Sequence, residues 1–203
     1  MEGKIIAVIG APASGKSFLA RKLGGYFNCQ VFFEGEIENL PQRILENFSK
    51  QVRNFETTIW FRNQRVKDFL DALKLKEKGE NVVLDTFWIT NQLHIDTMLE
   101  GFEKERALEL AELDKDLLPW PDLIIFLRTD EEVIRKFIKL RGRHFDQSES
   151  FIKRILNINK EHEKFIENSN LDNLLIINRD DFDFEKEDDF NRLLDKIKEK
   201  LAI

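Results

Sequence analysis

Gly10-Ala11-Pro12-Ala13-Ser14-Gly15-Lys16-Ser17 fits the pattern G-x-x-x-x-G-K-[ST] at all eight positions. The apolar run Ile5-Ile6-Ala7-Val8-Ile9 precedes it and a helical pattern begins at Lys16, so the stretch joins a strand to a helix. Its glycines let the backbone curl tightly, and several N–H groups then point into one concavity. That concavity and the helix N-terminus together hold polyanionic phosphate. In such a loop Lys16 reaches the terminal phosphates and the Ser17 hydroxyl ligates Mg²⁺. Phosphate binding is thus the first conclusion, and it does not yet name a reaction.

Outward from this unit the chain alternates strand and helix. Residues 4–9 read as a buried strand and 16–27 as a helix ended by Gly24-Gly25 or just after. Val31-Phe32-Phe33 is a second strand, followed by a short helix over 38–48 with Pro41 in its first turn. Phe55, Ile59, Arg62, Val66, Leu70 and Leu73 recur at steps of three or four, which predicts a long helix stopped at Lys78-Gly79. Val82-Val83-Leu84 closes on Asp85, and 89–117 reads as one helix. Leu123 to Leu127 is the fourth strand, with helices over 130–140 and 148–168 after it. Leu174 to Ile177 is the fifth strand and 186–201 the last helix. Apolar strands alternating with helices predict an α/β fold of three layers, a central parallel five-stranded sheet flanked by helices. Residues 1–203 contain no repeat or linker and are expected to form a single domain.

Composition narrows the partners. A net charge of −6 argues against polymeric nucleic acid and anionic membrane surfaces. No run approaches the ~18 apolar residues of a membrane span, and the N-terminus enters a strand directly where a signal peptide would have an apolar stretch. Cys29 is a lone cysteine that cannot form an intrachain disulfide, so a reducing cytoplasmic location is expected, and it reads as a small buried hydrophobe at a strand start. His94, His144 and His162 lack metal-ligand spacing. Phenylalanine is abundant, 18 residues against one tyrosine.

In a parallel α/β sheet, ligands sit beyond the carboxyl ends of the strands. Glu34 ends strand two, where a carboxylate can orient and deprotonate a hydroxyl for in-line attack on a γ-phosphoryl group; a solvated loop acid is the other reading. Asp85 ends strand three, as does the acid that helps hold Mg²⁺ in phosphate-loop enzymes, with a helix N-cap as the alternative. Arg141-Gly142-Arg143 breaks a helix with two arginines and predicts a lid over about 141–147 that closes on transferring phosphate. Trp60 and Phe61 read as core or interface aromatics, with the lining of an acceptor pocket as the alternative, and Phe87-Trp88 either as core or as a wall of the ligand site.

These residues together resemble the deoxyribonucleoside kinases, the group that includes deoxycytidine, deoxyguanosine and deoxyadenosine kinases. The resemblance runs through the phosphate loop, Glu34, and Phe55…Phe61…Arg65. It continues through Pro121-Asp122-Leu123-Ile124-Ile125-Phe126-Leu127, the Arg141-Gly142-Arg143 lid and Asp181-Phe182-Asp183-Phe184. It implies a P-loop kinase fold that transfers phosphate from ATP or another NTP, with Mg²⁺, to the 5′-hydroxyl of a (deoxy)nucleoside. Glu34 is then the general base, Arg65 binds the nucleoside side, Asp85 assists Mg²⁺, and Arg141 and Arg143 clamp phosphate. Asp146 falls where the family often places an acid on the sugar 3′-hydroxyl, and Asp183 and Phe184 would lie against the donor base, with Phe184 stacking. The family also commonly forms a homodimer through its long helices, and the apolar excess on 53–78 and 89–117 agrees with that.

The chain departs from the family on the acceptor side. Thr86-Phe87 stands where Arg-Ser usually follows the strand-three acid. Thr58 replaces a base-reading glutamine, and Asn91 stands where an aspartate or similar group often reads the base. The expected function is an ATP-dependent nucleoside kinase. Two alternatives stay open: a nucleotide-binding scaffold or regulator that has lost efficient transfer, and a nucleoside monophosphate kinase.

Overall fold

The computed structural model describes residues 2–34 and 40–202. Five strands form one all-parallel sheet: β1 (Ile5–Ile9), β2 (Gln30–Phe33), β3 (Val82–Asp85), β4 (Leu123–Arg128) and β5 (Leu174–Asn178). Their spatial order is β2-β3-β1-β4-β5, which puts the strand ending in the phosphate loop at the centre. Eight α-helices flank the sheet among the described residues: α1 (Lys16–Phe27), α2 (Gln42–Lys50), α3 (Asn54–Glu77), α4 (Thr90–Met98), α5 (Gly101–Leu117), α6 (Glu131–Arg141), α7 (Glu149–Asn168) and α8 (Glu187–Leu201).

Alternation along the strands divides the core in two. Ile6 and Val8 face one side with Leu123, Ile125 and Leu127, against Leu19 and Leu23 of α1 and Leu193, Leu194 and Ile197 of α8. Ile5, Ala7 and Ile9 face the other, with Ile124 and Phe126, against Phe69 and Ala72 of α3 and Ile166 of α7. Both faces are covered, so the central strands are apolar throughout and the three-layer expectation holds. The in-register pairing Val8↔Asp85 and Phe33↔Asp85 sets Asp85 level with the end of β1 and one residue short of Glu34.

Asp122, in the Pro-Asp-Leu-Ile-Ile stretch, ties the amino ends of the sheet together. Its Oδ2 accepts the Ile5 N–H at 2.8 Å and its Oδ1 accepts from Lys76 Nζ at 3.0 Å. Two expectations need correction. The single helix over 89–117 is two helices, because Leu99 and Glu100 are extended and Gly101 opens α5 at φ +52°. Folding back there lets Ile95 and Leu99 pack on the small residues Ala107 and Ala111. Pro41 caps α2 ahead of its first turn, and the expected helix start at 38 lies outside the described residues. No described helix is long and apolar enough to cross a membrane.

Candidate active site

The phosphate loop has the backbone its glycines predict. Gly10 (φ +148°) and Gly15 (φ +96°) hold left-handed-side conformations, and Ala13 joins them at φ +66°. A Cβ on Gly10 would meet the Leu127 carbonyl at 2.9 Å and the Ser14 hydroxyl at 3.1 Å, so no side chain fits there. Ala11 is buried against Ile134, Ile138 and Ile155, which anchors the loop to α6 and α7. Lys16 Nζ donates to the Ala11 carbonyl at 3.0 Å, folded onto its own loop. Burial pushes its pKa down to about 8, with Asp85 pulling it up and Arg141 and Arg65 adding to the depression. A cation so poorly solvated gains strongly from an incoming polyphosphate.

Gly10, Lys16, Ser17, Glu34 and Asp85 line one cavity of about 640 Å³. Asp85 is 4 % exposed; burial raises its pKa, with Lys16, a Ser17 hydrogen bond and Arg65 opposing. Asp85 does not cap the next helix, whose cap position is Ile89. Its Oδ1 is buried with no partner. One orphaned carboxylate oxygen beside a serine hydroxyl suits Mg²⁺, which takes one or two protein oxygens and fills its octahedron with phosphate and water. Among the described residues there is no cluster of three or more His, Cys, Asp and Glu that would hold a metal by protein ligands alone.

Arg65 organises the other half of the cavity. It is buried on α3, and its Nη2 donates to Glu34 Oε1 while its Nη1 donates to Asn91 Oδ1 at 2.6 Å. Burial lowers its pKa from the usual guanidinium value, and Asp85 opposes. Thr58, Phe61 and Arg65 follow one another at i, i+3 and i+7, so one face of α3 presents all three to the cavity. Phe48, Phe145 and Phe151 close that wall in mutual edge contacts at 5.4 to 5.9 Å, with Phe48 on Phe61 at 6.0 Å. Part of the phenylalanine excess is spent here. Phe61 is therefore a cavity residue as well as a packing one, whereas Phe87 and Trp88 are 0 % and 1 % exposed and belong to the core.

Arg141 and Arg143 also line the cavity, but three sequence expectations meet a different arrangement. Asp146 is fully buried, ion-paired with Arg141 Nη2 and accepting from Gln147 Nε2 at 2.9 Å, and it is not part of the cavity wall. Phe184 is also fully buried, packed with Leu193, Leu194 and Ile197, so its ring is a core element with no free face for stacking. Asp183 is half-buried and engaged with the start of α8, its N–H donating to Asp189 Oδ2 at 2.9 Å. Near the phosphate loop, Arg179 covers the Phe184 ring at 4.4 Å.

His94 and Arg154 are cavity residues that the sequence reading did not single out. Helical spacing carried a signal for both: Asn91, His94 and Met98 share a face of α4, and Phe151, Arg154, Ile155 and Ile158 share a face of α7.

A parallel sheet with a phosphate loop behind its central strand, and carboxylates closing the two neighbouring strands, is the frame of a phosphoryl-transfer protein. Comparison with known proteins narrows the class. The deoxynucleoside kinase family model matches residues 6–202, and the chain belongs to that family of phosphotransferases. It is 28% identical over 155 residues to the deoxyguanosine kinase of Dictyostelium discoideum; the match takes 71% of this chain and spans about half, 53%, of that relative. It is 24% identical over 204 residues to the deoxyguanosine kinase of Bacillus subtilis, covering 97% of each. The deoxyadenosine kinase of M. mycoides, solved with the products dCMP and a flexible dCDP bound, shares the fold: TM-score 0.80, 18% identity, 96% of this chain and 99% of that one. With the family established, the nucleoside monophosphate kinase alternative loses its support.

Proposed function

We propose that this protein transfers the γ-phosphoryl group of ATP or another NTP to the 5′-hydroxyl of a deoxynucleoside. The observation that carries the reading is Glu34, held by Arg65 at the end of β2 and lining the same cavity as Lys16, Ser17 and Asp85. Arg65 holds and aims Glu34, so the carboxylate can take the 5′-hydroxyl proton as that oxygen attacks phosphorus and the nucleoside diphosphate leaves. Lys16 leaves the Ala11 carbonyl for the β- and γ-phosphates, and Arg141 and Arg143 counter charge on the transferring oxygens. Ser17 and Asp85 would hold Mg²⁺, which neutralises β- and γ-phosphate charge. Phe61, Phe48 and Phe145 exclude water from the acceptor. The homodimer expected from the sequence is part of the proposal, with the exposed Phe102, Leu113 and Leu117 of α5 as its seat.

One observation favours the scaffold alternative. Thr86, which stands where the family has arginine, is turned into the interior 2.5 Å from the Thr90 hydroxyl, so no cation follows Asp85 into the site. Assay of the purified chain with ATP·Mg²⁺ and a deoxynucleoside panel separates the two. Turnover is expected on at least one nucleoside, and Glu34→Gln should lower kcat by about 10²–10⁴ with nucleoside affinity within a few-fold. ATP binding without turnover on any nucleoside sinks the kinase reading.

A further inference from the structure

Once every polar contact in the cavity is assigned, some buried atoms on its acceptor wall are left without partners: Thr58 Oγ1 on α3, Asn91 Nδ2 and His94 Nε2 on α4, and Arg154 Nη1 on α7. An unmet buried donor or acceptor costs about 1–3 kcal/mol, and four converging on one cavity make the wall a template for a polar ligand. The chemistry of these atoms is informative. Asn91 Oδ1 accepts from Arg65 Nη1, and a guanidinium can only donate. That contact fixes the amide orientation and leaves the Nδ2 donor as the free group. Arg154 is half-buried, has no ion pair or hydrogen-bond partner among the described residues, and can likewise only donate. Thr58 and neutral His94 can serve either way; burial holds His94 well below its usual pKa. Of the carboxylates that line the cavity, Glu34 is paired with Arg65, and Asp85 lies on the phosphate-loop side beside Ser17 and Lys16. The acceptor wall therefore offers fixed donors and no free carboxylate.

Building on the kinase reading above, we propose that this wall selects a nucleobase with a ring carbonyl at its Watson–Crick edge, a 6-oxopurine or 4-oxopyrimidine. Asn91 Nδ2 and Arg154 are the donors to that oxygen. An exocyclic amine at the same place would face donors with donors, leaving both sides unmet. Asn91 and Arg154 are thus specificity residues, Asn91 sharing Arg65 with Glu34.

Matched pairs that differ at this position test the assignment: deoxyinosine against deoxyadenosine, and deoxyuridine against deoxycytidine. Binding is measured by calorimetry on the full chain saturated with ADP·Mg²⁺, and kcat/KM with ATP. The oxo member of each pair that binds should be favoured about tenfold or more in Kd and in kcat/KM. Asn91→Asp keeps an acceptor for Arg65 and replaces the donor by a charged acceptor, so the ratio in Kd should collapse or invert. Arg154→Met should reduce it by loss of affinity for the oxo member. Equal or tighter binding of the amino members, with turnover intact, overturns this inference and leaves the kinase reading standing. A tenfold preference that neither variant changes overturns the assignment of the readers. No binding of any nucleoside overturns both the inference and the reading it rests on.

Discussion

At the scale of single residues, the donor side of the site turns on Arg179. Its guanidinium lies over Phe184 at 4.4 Å and Phe137 at 5.2 Å, and its Nη1 donates to the Phe182 carbonyl. A Cβ built on Gly15 would come within 3.4 Å of its Nε, which places the guanidinium against the phosphate loop. Nε is buried without a partner. Arg179 is thus the planar cation beside the phosphate loop, packed on Phe184 and Phe137, and the expectation is that a donor base stacks on it. Replacing Arg179 by alanine should weaken ADP binding about tenfold, measured by calorimetry, with nucleoside affinity unchanged. ADP binding within twofold of wild type would leave Arg179 a packing residue only. The sequence pointed to Asp183-Phe184 for this surface because residue type is visible in a sequence and solvent access is not. Asp146 follows the same logic: a carboxylate in the right place along the chain is taken out of the cavity by its pairing with Arg141.

At the scale of elements, close approach between α1 and β2 rests on Gly24. Helix α1 runs to Phe27 as expected and ends just after Gly24-Gly25, on Asn28 at φ +47°, where the Cys29 N–H returns to the Gly24 carbonyl at 3.0 Å. A Cβ on Gly24 would lie 2.1 Å from Val31 Cγ2. Gly24→Ala gains helix propensity yet forces β2 away, and β2 carries Glu34. The net expectation is a loss of about 1–3 kcal/mol in denaturant unfolding together with a lower kcat. A variant of wild-type or greater stability would show that the two elements part without cost. Element types and the parallel five-stranded sheet were legible because central strands buried on both faces leave long apolar runs and helices leave three-and-four spacing. The break between α4 and α5 was not. Leu93, Met98, Leu99 and Phe102 keep near-helical spacing across it, and only Gly101 hints that the backbone turns. The phosphate loop was readable because its function lies in local backbone. The acceptor wall was readable only in part: the resemblance marked Thr58 and Asn91, whereas His94 and Arg154 join them only when α3, α4 and α7 pack.

At the scale of the whole molecule, that packing places two imidazoles in the interior between the sheet and α4 and α7. The His94 and His162 rings lie 6.0 Å apart, and His162 stacks on Phe126 of β4 at 6.2 Å. Burial brings the His162 pKa from 6.5 down to about 4. Its contact with the Ile158 carbonyl opposes the shift, and Lys16 and Arg65 add to it. A histidine depressed in the folded state takes its proton preferentially when unfolded. His162 therefore leaves stability intact above pH 6.5 and removes it as pH falls from about 6.5 toward about 4, below which its contribution levels off. At 1.36 kcal/mol per pKa unit the loss from His162 is about 3 kcal/mol, and His94, lowered in the same direction, adds to it. Urea unfolding at neutral pH and near pH 4 measures this directly. Carboxylates titrate in both proteins, so the informative quantity is the difference between wild type and His162→Gln. The variant, with no imidazole to protonate at that position, should lose about 3 kcal/mol less on acidification. Equal losses would mean that the interior around α4 and α7 admits water and charge readily. A wall that open could not make unmet donors such as Asn91 Nδ2 count in choosing a base.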